Sequence, residues 1–86
     1  MAKRLFVGGL PYTTTDQELS EIFSEAGKVE SATVVMDRMT NRSKGFGFVE
    51  MSTEEEAKVA IEKLNNKKVG ERTIVVKEAY PPKNQG

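Results

Sequence analysis

The chain has 86 residues, 37% of them hydrophobic and 30% charged, with 13 basic and 13 acidic side chains that cancel. That is room for one domain with a single core, and no apolar run approaches the ~20 residues of a membrane span. Cysteine and histidine are both absent, which removes disulfides, thiolate metal sites, the commonest general base and a favoured metal ligand. Catalysis, a metal and a cofactor are therefore not expected. The lack of cysteine, together with an N-terminal stretch MAKRLFVGGLPY that is glycine-broken and unlike a secretory signal, suits a cytoplasmic protein, or a nuclear one in a eukaryote.

In chain order, LFVGGL (residues 5–10) alternates Leu5 and Val7 against Phe6 and Gly8 and breaks at Pro11, predicting a first strand that ends in a loop. Thr15 then stands three residues before Glu18 as a capping box, and Leu19, Ile22, Phe23 and Ala26 follow at helical spacing until Gly27. Residues 29–36 are rich in β-branched side chains and read as a second strand, closed by polar residues 37–43, among which Asn41 suits a left-handed turn position. The octapeptide KGFGFVEM (residues 44–51) is the third strand. Thr53 and Glu56 form a second candidate capping box, with Ala57, Ala60, Ile61 and Leu64 on one face of a second helix that ends around Asn65 and Asn66. Residues 73–79 supply the last strand.

The apolar positions of the two helices repeat at the same spacing, so the βαββαβ order reads as two βαβ halves. Right-handed crossovers fit these into an α+β, ferredoxin-like sandwich: one four-stranded antiparallel sheet with both helices on a single face. Leu5, Val7, Ala32, Val34, Val49, Met51, Ile74 and Val76 can meet the helices. Strand alternation then sends Lys44, Phe46, Phe48 and Glu50 to the other side, where Phe6 joins them beside Arg4. Nothing else in these elements covers that face, so Phe6, Phe46 and Phe48 are expected to lie open. Three aromatic rings grouped with cations on one surface suit the bases and phosphates of an unpaired nucleic acid strand.

LFVGGL and KGFGFVEM resemble the paired hexapeptide and octapeptide signatures of the RNA recognition motif. The octapeptide fits K/R-G-F/Y-G/A-F-V-x-F/Y at every specified position except the last. There Met51 replaces an aromatic but points into the core, where methionine can fill space; Gly9 stands where the hexapeptide often has asparagine. The resemblance covers residues 3–80, leaving PPKNQG (residues 81–86) as an expected disordered tail. In overall form the chain resembles the small single-motif RNA-binding proteins of bacteria and the plant glycine-rich type. It implies that Phe6, Phe46 and Phe48 carry RNA bases and that Lys44 contacts the phosphate backbone. It also directs attention to the open side of the last strand, where Lys77 and Ala79 alternate outward, and to Tyr80 just beyond.

The neutral total hides a sorting of charge. Residues 15–26 and 53–64 hold eight acids and two lysines, whereas the remainder holds five acids and eleven bases. With the helices behind the sheet, the strands and loops are left basic, although acids also favour first helical turns on their own account. Arg38, Arg42 and Lys44 sit in or beside the connection between the second and third strands, where a basic loop can clamp RNA or simply be a polar surface. Tyr12 is a loop anchor or a further stacking ring, and Thr33 and Val35 face the same side as the rings. The expected partner is single-stranded RNA, or single-stranded DNA, bound by a monomer away from any membrane, in post-transcriptional regulation. The alternative is a protein-interaction module of the same fold. A phosphate-cleaving enzyme of the acylphosphatase type needs an arginine in the loop after the first strand, and residues 9–15 contain none.

Overall fold

The computed structural model describes residues 3–79; the expectations for Tyr80 and for a tail at residues 81–86 fall outside the described residues. The elements run β1 (Arg4–Gly8), α1 (Asp16–Phe23), β2 (Val29–Asp37), β3 (Arg42–Met51), α2 (Glu54–Leu64), β4 (Lys68–Val69), β5 (Arg72–Thr73) and β6 (Val75–Glu78). Four of the strands form an antiparallel sheet in the order β2-β3-β1-β6, and β4 pairs with β5 as a separate small hairpin. This is the ferredoxin-like βαββαβ arrangement. Among the described residues, no helix is long and apolar enough to cross a membrane.

Each helix starts where its cap dictates. The Thr15 hydroxyl accepts from the Glu18 N–H at 3.1 Å while the Glu18 carboxylate accepts from the Thr15 N–H at 3.0 Å, a reciprocal box that satisfies two otherwise orphaned donors. α1 then buries Leu19 and Phe23, and α2 buries Ala57, Ala60 and Leu64. These meet Leu5, Val7, Val34, Val49, Met51 and Val76 from the sheet, with Leu10 from the loop after β1 and Ile74 from between β5 and β6, in one core cluster. Ala32 packs against it only partly buried. Full burial of an aliphatic or phenyl side chain contributes about 1.5–3 kcal/mol, so the period-two alternation of β1 and β3 is held by the inward members of those strands.

Two expectations are corrected. The last strand does not begin at Thr73: the chain first turns through the β4–β5 hairpin, and Ile74 bridges β5 to β6. There the Ile74 N–H donates to the Lys67 carbonyl at 2.9 Å and the Asn66 N–H donates to the Ile74 carbonyl at 2.8 Å. Two-residue strands are too short to show alternation in a sequence, which is why the hairpin was not foreseen. The first strand likewise ends at Gly8 rather than at residue 10, because Leu10 turns inward and its N–H donates to the Gly45 carbonyl at 2.8 Å.

Side chains from the helices and their caps tie down the sheet edges. Asp16 Oδ1 accepts from the Val34 N–H at 2.7 Å, beside the point between Val34 and Met36 where the β2–β3 register slips. At the opposite edge, Asn65 Oδ1 accepts from the Val76 N–H at 3.0 Å. Thr53 caps α2 as expected, accepting from the Glu56 N–H at 3.1 Å, but the Glu56 carboxylate is drawn chiefly elsewhere. It accepts from the Ser52 hydroxyl and, at 3.2 Å, from the Lys28 N–H.

The Ser52 hydroxyl first, and the Lys28 N–H second, hold the Glu56 carboxyl below its ordinary value of 4.5. A depressed folded-state value means that this contribution to stability is complete above the unfolded pKa and is lost as pH falls through the folded one. Glu56→Gln should therefore melt below the parent at neutral pH, with the gap closing as the solution is acidified below 4.5. Thermal melts across an acid-to-neutral series check this, and a gap that stays constant with pH would show that the carboxylate charge is not what the two donors stabilise.

Candidate nucleic-acid interface

β3 and β1 carry their outward side chains in register. Phe6 lies opposite Phe48 on one side and Lys77 on the other, and Phe48 lies opposite Thr33, so one transverse row reads Thr33, Phe48, Phe6, Lys77 across all four strands. In the next row Phe46 faces Gly8. A side chain there would crowd Phe6, since a Cβ on Gly8 would lie 3.0 Å from the Phe6 ring edge. The missing side chain lets Phe6 lean toward Phe46. Their ring centroids are 5.7 Å apart, with Phe6 and Phe48 at 5.9 Å and Phe46 and Phe48 at 6.3 Å in edge-on contact.

Through this mutual packing all three rings are half-buried. Edge-to-face contacts hide ring rims while leaving outward area, because the electropositive edge of one ring prefers the face of the next. Arg4 adds to the cluster, its guanidinium 4.5 Å from the Phe48 ring centroid, within cation–π range. Arg4 also pairs in register with Glu50, which places an acid on the same row.

The remaining expected site residues divide. Lys44 is exposed on the ring side of β3, and Arg42 and Lys44 line a groove of about 860 Å³ together with Phe46. Arg38 is exposed in the turn between β2 and β3, outside that groove. Lys77 stands opposite Phe6, and the Ala79 N–H donates to the Arg4 carbonyl at 2.8 Å, carrying the chain past the end of β6 beside the ring face. Thr33 is exposed and Val35 half-buried on β2. Among the described residues, no cluster of three or more acidic side chains is arranged to hold a metal ion.

The groove itself was not foreseen. Its far wall is Tyr12, 63% exposed, whose ring packs on Gly45, and its floor includes Met36, 48% exposed. Proline before Tyr12 signalled a loop, but no pattern in the sequence said where that loop would fold back.

The RNA recognition motif model matches residues 5–75. The chain belongs to the RNA recognition motif family. A curated relative, the chloroplastic RNA-binding protein CP33 of Arabidopsis thaliana, is 53% identical over 73 residues, covering 85% of this chain and 22% of that protein. The chloroplastic Small RNA-binding protein 11 of the same plant is 45% identical over 86 residues, covering 100% of this chain and 59% of that one. This RNA recognition motif chain thus spans about a fifth of the first relative and somewhat over half of the second. Among solved structures, the Rna15 RNA recognition motif with bound RNA (GU) superposes with a TM-score of 0.85 at 26% identity, covering 94% of this chain and 86% of that one.

These relatives overturn the expected cytoplasmic or nuclear location, since both are chloroplastic proteins. The expectation rested on the lack of cysteine and on residues 1–12 being unlike a secretory signal, neither of which tells one reducing compartment from another.

Because the rings pack on one another, Phe48→Ala should cost stability: edge contacts contribute about 0.5–1.5 kcal/mol per pair and an exposed cation–π contact about 0.5–1 kcal/mol. A loss of about 1–3 kcal/mol in urea titration, with the unfolding still cooperative, is expected. An unfolded variant would instead place Phe48 in the core.

Proposed function

We propose that this RNA recognition motif domain binds single-stranded RNA without catalysing its chemistry, as a monomer, in the post-transcriptional handling of transcripts. The observation that carries the reading is the packed trio Phe6, Phe46 and Phe48 on a sheet face that neither helix covers, with Arg4, Lys44 and Lys77 around it. The names of the relatives, which are RNA-binding proteins, support it. So does the Rna15 domain of like fold with RNA bound.

The physics assigns two jobs. Every base has a flat π face, so stacking on Phe6, Phe46 and Phe48 holds the strand whatever its sequence. Lys44, Arg42 and Lys77 meet phosphates, while Arg4, held over Phe48, offers a guanidinium plane to base or phosphate. Arg38 reaches the strand only from the tip of the β2–β3 connection, and Ala79 lies on the β6 side. Discrimination against single-stranded DNA, which the rings also accept, depends on contacts to the 2′-hydroxyl.

A zero net charge and few well-placed cations favour a shallow salt dependence. Two to four phosphate contacts at about 0.7 each give a slope of log K on log salt of about −1.5 to −3. Phe48→Ala should weaken RNA binding by about 1–3 kcal/mol and leave that slope in place. Lys44→Gln should weaken all sequences alike and flatten it by about one contact. Fluorescence anisotropy with short single-stranded RNAs over a salt series makes both measurements. Absence of RNA binding by the parent would refute the function, and a slope that changes on losing Phe48 would refute the division between rings and cations.

A further inference from the structure

We infer that Glu50 reads a base edge at one end of the ring face and selects guanine there. The inference rests on the reading that the ring face binds RNA, and it names a choice of base that stacking rings, which accept any base, do not make.

Glu50 is the feature of that face which RNA binding leaves unexplained. Alternation along β3 puts it outward with Phe46 and Phe48, and it is exposed. A carboxylate repels the phosphates of a bound strand, and glutamate is depleted in strands generally, yet this one stands on an inner strand of the sheet. An ion pair does not account for it either. Arg4 lies opposite Glu50 in register, but its guanidinium is turned onto the Phe48 ring, 4.5 Å from the centroid. Among the described residues, no hydrogen bond or ion pair engages the Glu50 carboxylate. Two acceptor oxygens are thus available beside the rings.

Successive outward residues of a strand are about 6.5–7 Å apart, so a base stacked on Phe48 brings its edge to the Glu50 carboxylate. The row at that point holds Arg4 on β1, Glu50 on β3 and the exposed Ser31 on β2, setting cation, acid and hydroxyl side by side. Guanine matches this row. Its N1–H and 2-amino group are adjacent donors that one carboxylate accepts together in a charge-assisted fork, and its O6 accepts from the Ser31 hydroxyl or the Arg4 guanidinium. Cytosine and adenine set one amino group beside a bare ring nitrogen whose lone pair opposes a carboxylate, and uracil sets its single N–H between two oxygens. Those bases stack too, but pair worse.

The test measures fluorescence anisotropy of the parent and Glu50→Gln with hexauridylate and with variants that carry guanosine at one position at a time. At one position guanosine should tighten parent binding about five- to a hundredfold over hexauridylate, the discrimination expected of a bidentate base contact. Adenosine at that position, which stacks as a purine, should gain less, and inosine, which keeps N1–H but lacks the 2-amino group, should forfeit part of the gain. Glu50→Gln should lose most of the preference while binding hexauridylate as tightly as the parent or more tightly, since a repelling charge has gone. Its thermal midpoint should match the parent's, as befits an exposed side chain. A guanosine preference that survives in Glu50→Gln would overturn the inference, as would an equal change for all sequences, which would make Glu50 a background charge. Inosine and adenosine are compared in the parent alone, so their binding as tightly as guanosine would overturn it whatever the variant's stability. A parent that binds no RNA would overturn the function itself, and this inference with it.

Discussion

Burial of Leu5, Val7, Val49 and Met51 against two helices is the constraint on which the rest of the molecule depends. These residues sit at alternate positions of the two central strands, so fixing them inward leaves Phe6, Phe46 and Phe48 no direction but outward. A shift of one residue in either strand would bury the phenylalanines and expose the aliphatic set. The ring face is therefore specified by the core behind it, and its geometry is only as sound as the β1–β3 register. That register is central in the literal sense: β1 and β3 are the inner strands of the order β2-β3-β1-β6, paired on both sides.

Helix side chains extend the constraint to the edges. Asp16, one residue past the cap of α1, reaches the Val34 N–H, and Asn65, the C-cap of α2, reaches the Val76 N–H. Each bond satisfies an edge N–H that sheet pairing leaves over, which costs less than leaving a half-buried donor unpaired. The Asp16 bond lies beside the slip in β2–β3 register, from which the chain runs on to the turn that walls the groove. Acids on the helices thus act first as structural acceptors. Their segregation from the sheet also leaves the ring face with mostly basic neighbours, which explains how a chain of zero net charge can present a surface suited to a polyanion.

The rings themselves combine two roles that are usually separate. As half-buried groups packed edge to face they contribute to the stability of the sheet, and as a surface not covered by either helix they retain area for a ligand. Gly8 helps the first role, since a Cβ there would crowd the Phe6 ring at 3.0 Å. Any ring substitution therefore touches folding as well as the proposed RNA contact, and the two must be measured apart.

Local pattern determined a good deal by itself. Alternation in KGFGFVEM and LFVGGL assigned faces, the Thr15–Glu18 box placed the start of α1, and Asn41 was legible as a left-handed position, realised at φ of 62°. Each of these depends on residues within a few positions of one another, where backbone geometry and side-chain period act without help from the rest of the chain. The ring contacts, the hold of Glu56 on Ser52 and Lys28, the β4–β5 hairpin and the Tyr12 groove were decided only by the tertiary structure. All of them join segments distant in sequence or too short to carry a period. Tyr12 and Gly45 are brought together by the pairing of β1 with β3, and no spacing within residues 9–15 encodes that meeting.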